Sequence, residues 1–222
     1  MSDINVGIEP IDPYIDAWDD LWWVFYLRDT CRLETYQELI RELARYEFQI
    51  VREWKDDVEA PKMFQAVLYD NSYSTYFEII NAPDTPMFYI GTYKDDFLPS
   101  SSPTARLNSD WFLEIGKICY QVLRPIYGFA EDMNAFVDWS HIEHHRLTHV
   151  FWAQLFDKEF VQQLQLQRLL GAPAWRNENL SDGGLLYVLA ATPYLNDGPR
   201  QFWQPARNYF ARQGFLDLEW SG

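Results

Sequence analysis

The chain has 222 residues, of which 48% are hydrophobic and 23% are charged. This composition is typical of a folded globular protein and excludes a disordered chain, a collagen or a coiled coil. The 33 acidic residues outnumber the 18 basic residues and give a net charge of -15. Because nucleic acids and anionic membranes attract basic surfaces, we expect neither as a partner. The charge by itself favours a role in solubility, and a basic protein is the kind of partner that it would attract.

Cysteine usage and the start of the sequence indicate a cytoplasmic protein. The two cysteines, Cys31 and Cys119, form no paired-spacing motif, and so few thiols in a chain of this length are typical of a reducing compartment. The first residues lack the basic start and apolar core of a signal peptide. The longest dense apolar run, residues 21–27, is far shorter than a membrane-spanning helix.

Predicted elements begin after an irregular acidic lead over residues 1–20. Residues 21–27 are rich in aromatic side chains and predict a buried strand. Residues 33–46 predict an amphipathic helix, because their apolar side chains recur at three- and four-residue spacing. Four extended segments follow, and their short connections favour an antiparallel meander. These segments are residues 48–54, 62–69, 74–81 and 87–94.

The sequence PSSSP at residues 99–103 predicts a flexible crossing near the middle of the chain. We expect one α+β domain over residues 1–222, with two similar-sized subdomains that meet near residues 99–105 as the alternative.

The second half mixes strands and helices. Helices are expected from Asn108 or Ser109 to Leu123, from Asp157 as N-cap to Leu170, and over residues 205–213. Strands are expected over residues 126–130, 148–156 and 185–191, the last introduced by a tight turn in LSDGG, residues 180–184. The whole pattern predicts an α+β fold with mainly antiparallel sheet and about four amphipathic helices packed on one face.

All four histidines fall within nine residues, in the segment HIEHHRLTH. On a helix they would share one face, where a zinc ion could bind. The candidate ligands are His141, His144 and His145.

The same segment also has a simpler interpretation. Ser140 and Glu143 match a capping box and favour a helix that begins at Ser140, but the strand expected over residues 148–156 would end it early. In an extended chain, His141 and His145 would lie about 13 Å apart, too far to share one ion. A partly exposed polar turn is therefore the alternative to a metal site.

Near the N-terminus, aromatic residues lie beside carboxylates. A tryptophan supplies buried contact area at an interface and aspartates attract a basic surface, so this stretch is a candidate partner-binding site. Trp22 and Trp23 have an alternative role: they belong to the predicted strand, and one or both would lie in the hydrophobic core of the protein. The candidate contact residues are Asp16, Trp18, Asp19 and Asp20.

Motifs of catalysis are absent from the sequence. It contains no G-x-S-x-G nucleophile motif, no G-x-x-x-x-G-K-[ST] phosphate loop and no G-x-G-x-x-G dinucleotide motif. We therefore expect no catalytic residues.

One stretch of the C-terminal half resembles a known class of proteins. It runs through YGF at 127–129, FWAQLF at 151–156, LLGAPAW at 169–175 and LSDGGLL at 180–186 to Pro193. Over about residues 126–195 this resembles the predicted immunity proteins of bacterial polymorphic-toxin systems and related uncharacterised α+β families. The resemblance implies a cytoplasmic bacterial protein that binds and neutralises a cognate toxin without enzymatic activity.

Three functions are thus predicted, in order of preference. The first is a non-catalytic antagonist of a basic toxin or effector, which acts by occlusion and needs no cofactor. The second is a metal-dependent hydrolase with zinc at His141, His144 and His145. The third is a structural subunit whose many aromatic residues cover an oligomer interface.

Overall fold

The computed structural model describes residues 20–46, 48–55, 64–70, 75–81, 86–132, 137–194 and 203–216. The strands are β1 (Asp20–Tyr26), β2 (Phe48–Lys55), β3 (Phe64–Asp70), β4 (Thr75–Asn81), β5 (Met87–Tyr93), β6 (Tyr127–Asp132), β7 (Ala153–Phe156), β8 (Arg176–Asn179) and β9 (Leu185–Val188). The helices are α1 (Leu33–Ala44), α2 (Pro103–Leu123), α3 (Trp139–Glu143), α4 (Lys158–Leu164), α5 (Leu166–Leu170) and α6 (Gln204–Arg212). A short 3-10 helix, Lys94–Phe97, precedes α2.

The nine strands of the described ranges form one sheet in the order β2-β3-β4-β5-β1-β6-β7-β9-β8. Every neighbouring pair is antiparallel, and β2 to β5 are consecutive neighbours, which confirms the predicted meander. β1 lies between β5 and β6 and so connects the strands of the first half to those of the second. The predicted α+β class with mainly antiparallel sheet is confirmed.

Side chains on both faces of the sheet are buried. In β1, Trp23 and Phe25 point into a core with α1 and α2, whereas Trp22 and Tyr26 point into a second core with α3 to α6. Alternate residues of a strand face opposite sides, so a strand that is apolar throughout needs cover on both. The helices therefore occupy both faces, where the sequence-based prediction had placed them on one.

Helix α2 approaches the centre of the sheet closely. A Cβ atom at Gly116 would lie 2.4 Å from Cε2 of Trp23, so only glycine permits this distance between helix and strand. The Trp23 indole is fully buried, and its Nε1–H donates to the Phe112 carbonyl at 2.8 Å. This contact fixes α2 across the sheet.

The start of α2 differs from the prediction. The helix begins at Pro103, with Ser102 as N-cap, whose hydroxyl accepts a hydrogen bond from the Ala105 N–H at 2.9 Å. Proline fits the first helical turn because its missing N–H would have no partner there. Ser109, a predicted cap, is instead a buried residue inside the helix.

Three elements of the second half also differ. The predicted strand over 148–156 is regular only in β7, because residues 147–152 take an irregular path. The predicted helix after Asp157 is split into α4 and α5 at Gln165, which has a φ of 66°. Strand β8 was not predicted, since RNEN has no apolar alternation.

Candidate functional site

Three adjacent chain segments bring acidic residues to one end of the sheet. Asp20, the first residue of β1, pairs with Tyr93 at the end of β5, and the next residue of β1 pairs with Asp132 at the end of β6. Neighbouring strands lie about 5 Å apart, so the backbone positions of Asp20 and Asp132 are adjacent. The 3-10 helix that follows β5 adds Asp95 and Asp96. We call these four aspartates the acidic end.

The acidic end is attached to α2. The Asn108 side-chain amide donates to the Asp96 carbonyl at 2.6 Å, and Asp95 is exposed on the same turn. The one basic residue of this turn, Lys94, places its ammonium 5.3 Å from the centre of the Tyr194 ring. Asp95 has no ion-pair partner among the described residues, and its carboxylate is open to solvent.

The candidate partner-binding residues fall only partly within the described ranges. Asp16, Trp18 and Asp19 lie outside them, and Asp20 heads β1. Trp22 and Trp23 are core residues, with 2% and 0% of their surface exposed. The alternative that placed one or both of these rings in the core is thus confirmed, and both are too deeply buried to contact a partner.

The net charge is unevenly distributed between the described ranges and the rest of the sequence. The described ranges contain 20 acidic and 16 basic residues, whereas the remaining residues contain 13 acidic and two basic ones. Most of the negative surplus therefore belongs to the remaining segments. Residues 1–19, with five acidic and no basic residues, lead directly into Asp20 at the acidic end.

The opposite end of the sheet carries charges of both signs, and we call it the mixed end. It is formed where β1 and β7 end and where β6 and β9 begin. Arg28 follows β1 and bonds to the Asp157 carboxylate at 2.7 Å and the Glu159 carboxylate at 3.0 Å. Asp157 also caps α4, since its second oxygen accepts from the Phe160 N–H at 2.7 Å. The sequence predicted this cap but not the pairing with Arg28.

Tyr120 and Asp182 complete the mixed end. The Tyr120 hydroxyl, at the last turns of α2, donates to the Asp182 carboxylate at 2.9 Å. The second carboxylate oxygen of Asp182 accepts from the Gly184 N–H at 2.9 Å. The bond from the Leu180 N–H to the Gly184 carbonyl closes the predicted turn before β9. Asp182 therefore ties this turn to α2.

Burial is the largest influence on the pKa values of Asp157 and Tyr120 at the mixed end. It raises the pKa of the Asp157 carboxyl, although the Phe160 N–H and Arg28 both favour the charged form. It also raises the pKa of the Tyr120 hydroxyl well above its usual value, helped by the carboxylate of Asp182. Tyr120 is therefore a hydrogen-bond donor at neutral pH, and these groups hold structure together.

A network of charges connects α2 to β8, and sequence reasoning missed it. Lys117 contacts Glu114 at 2.7 Å and Glu178 at 3.0 Å, and Arg176 contacts Glu178 at 2.6 Å. Arg176 also lies 3.8 Å from Asp110. Burial opposes ionisation of Glu178, but hydrogen bonds from Lys117 and Arg176 outweigh it and lower its pKa. Two positive and three negative groups pair with one another here, so little of their charge remains for a basic partner.

The histidine segment forms a short helix followed by a turn. Asp138, not Ser140, caps α3, because its carboxylate accepts from the Ser140 N–H at 2.8 Å. His141 lies in α3, and His144 ends it with its Nδ1 2.7 Å from the Ser140 carbonyl oxygen. The predicted helix start at Ser140 is thus off by one residue.

The remaining histidines contact aromatic rings. His145, with a φ of 52°, places its ring 5.1 Å from that of Phe160, and the His149 ring lies 5.8 Å from that of Phe151. Within the part of the chain that the structure describes, no three His, Cys, Asp or Glu residues are placed to hold one metal ion. Zinc binding by His141, His144 and His145 stays a prediction without a described ligand set.

The two cysteines are unpaired thiols. Burial raises the pKa of Cys31 to about 11 and that of the fully buried Cys119 well above its usual value. The thiolate is the nucleophilic form, so both residues are weak nucleophiles at neutral pH.

Among the described helices, none combines the length and the apolar character that a bilayer span requires.

Comparison with known proteins gives no family for the chain: no family model, no curated protein and no solved structure matches it.

Proposed function

We propose that the chain is a non-catalytic binding protein of the immunity type, which neutralises a basic toxin or effector in the cytoplasm by occluding it. The acidic end carries this proposal. There, exposed Asp95 lies on a turn beside the start of β1, and the sequence that leads into Asp20 has no basic residue. A basic surface that docks there would meet the exposed Asp95 beside the backbone positions of Asp20 and Asp132.

Attraction between the acidic end and a basic partner acts first on the rate of encounter. Complementary fields raise association rates by one to three orders of magnitude at low salt. At 0.1 M salt this gain falls, because exposed charges more than about 10 Å apart are largely screened. The carboxylates of the mixed end contribute less, because Arg28 and the α4 backbone already pair with them. Electrostatic attraction should therefore bring a basic partner to the acidic end more often than to the mixed end.

The test is co-expression with the protein encoded by the adjacent reading frame. We expect that protein to inhibit growth, this chain to restore growth, and the pair to copurify at low salt. Reversal of three charges, Asp16→Lys, Asp19→Lys and Asp20→Lys, should reduce both the rescue and the copurification.

The control reverses charges outside the acidic end. Glu38→Lys and Glu143→Lys change exposed residues of α1 and α3 and should leave rescue unchanged. Full rescue by the triple reversal, or equal loss in the control, would remove the acidic end from the mechanism. A neighbour that is neither toxic nor bound would count against the immunity function itself.

A further inference from the structure

We draw no further inference here: the strongest candidate, the exposed apolar face that Tyr46 and Leu107 form with Trp111 beside α1 and α2, carries none because nothing in the described part of the structure shows what covers it.

Discussion

The two ends of the sheet use their carboxylates differently. At the mixed end, Asp157 caps α4 and pairs with Arg28, and Asp182 accepts from the Tyr120 hydroxyl and the Gly184 N–H. At the acidic end, Asp95 is exposed and has no ion-pair partner in the described ranges. The same residue type thus stabilises the fold at one end and leaves charge available at the other.

This contrast shows why total charge is a poor guide to a binding surface. A carboxylate that already receives hydrogen bonds and faces a guanidinium adds little field at a distance. Predictions that separate the two ends therefore compare stability at the mixed end with binding at the acidic end.

The largest effect on stability is expected for Gly184→Ala at the mixed end. The new Cβ would lie 2.2 Å from the Tyr120 hydroxyl oxygen and 2.7 Å from the Phe156 carbonyl oxygen, so the turn must shift. We expect a loss of about 3 kcal/mol in the free energy of unfolding, measured in urea. Tyr120→Phe in the same chain should recover part of that loss, and no recovery would show that the hydroxyl is not the obstacle.

The next largest loss of stability is expected for Asp157→Ala. It removes both the cap of α4 and the partner of Arg28, and we expect a loss of about 2 kcal/mol in unfolding free energy. Asp157→Asn is the matched control, since an amide oxygen can still accept from the Phe160 N–H while the ion pair is lost. It should cost less than about 1 kcal/mol, because Arg28 is half exposed. Equal losses of unfolding free energy in the alanine and asparagine variants would mean that the ion pair with Arg28, and not the cap of α4, provides the stabilisation.

Stability at the mixed end should also depend on pH. Since burial raises the pKa of Asp157, the native state binds this proton more tightly than the unfolded chain does. The contribution of Asp157 to stability is then present at low pH and falls as pH rises above about 4, the ordinary pKa of aspartate. Relative to the parent chain, Asp157→Asn should therefore gain unfolding free energy as pH rises above about 4.

Arg28, Glu159 and His145 face the same carboxylate, so the comparison of the two chains must be made at constant ionic strength. A difference that stays constant across this range, or moves the other way, contradicts the raised pKa.

At the acidic end the corresponding change should have almost no effect on stability. Asp95→Ala removes an exposed carboxylate without a described ion-pair partner, and we expect less than about 0.5 kcal/mol in urea unfolding. A loss comparable to that of Asp157→Ala would show that Asp95 also stabilises the fold, and the contrast between the ends would fail.

Local patterns in the sequence predicted much of the fold. The apolar spacing of α1, the breakers between β2 and β5, and the stop of α6 at Gly214, which has a φ of 70°, all act within a few residues of the chain. The start of α2 was missed because PSSSP is typical of a loop, although Ser102 is a good cap. Strand β8 was missed because charge pairs, not apolar alternation, hold its outer side against α2.

The side-chain arrangement at the two ends of the sheet was harder to predict, because it depends on contacts between residues far apart in the sequence. Arg28 and Asp157 are 129 positions apart, and Lys117 and Glu178 are 61 apart, so no local pattern could pair them. The acidic residues before β1 were visible in the sequence, but the place of Asp132 beside the start of β1 is known only from the register of β1 on β6. The burial of Trp22 and Trp23 likewise follows from helices packed on both faces of the sheet.

The most direct measurement is the association rate of the neighbouring gene product with two charge-reversed chains of equal net charge. One carries Asp20→Lys and Asp95→Lys at the acidic end, and the other carries Glu38→Lys and Glu143→Lys. At low salt we expect the first to associate at least about tenfold more slowly than the parent chain and the second within about twofold of it, with the difference lost at high salt. Equal slowing of both chains would show that only the total charge matters and would contradict a docking role for the acidic end.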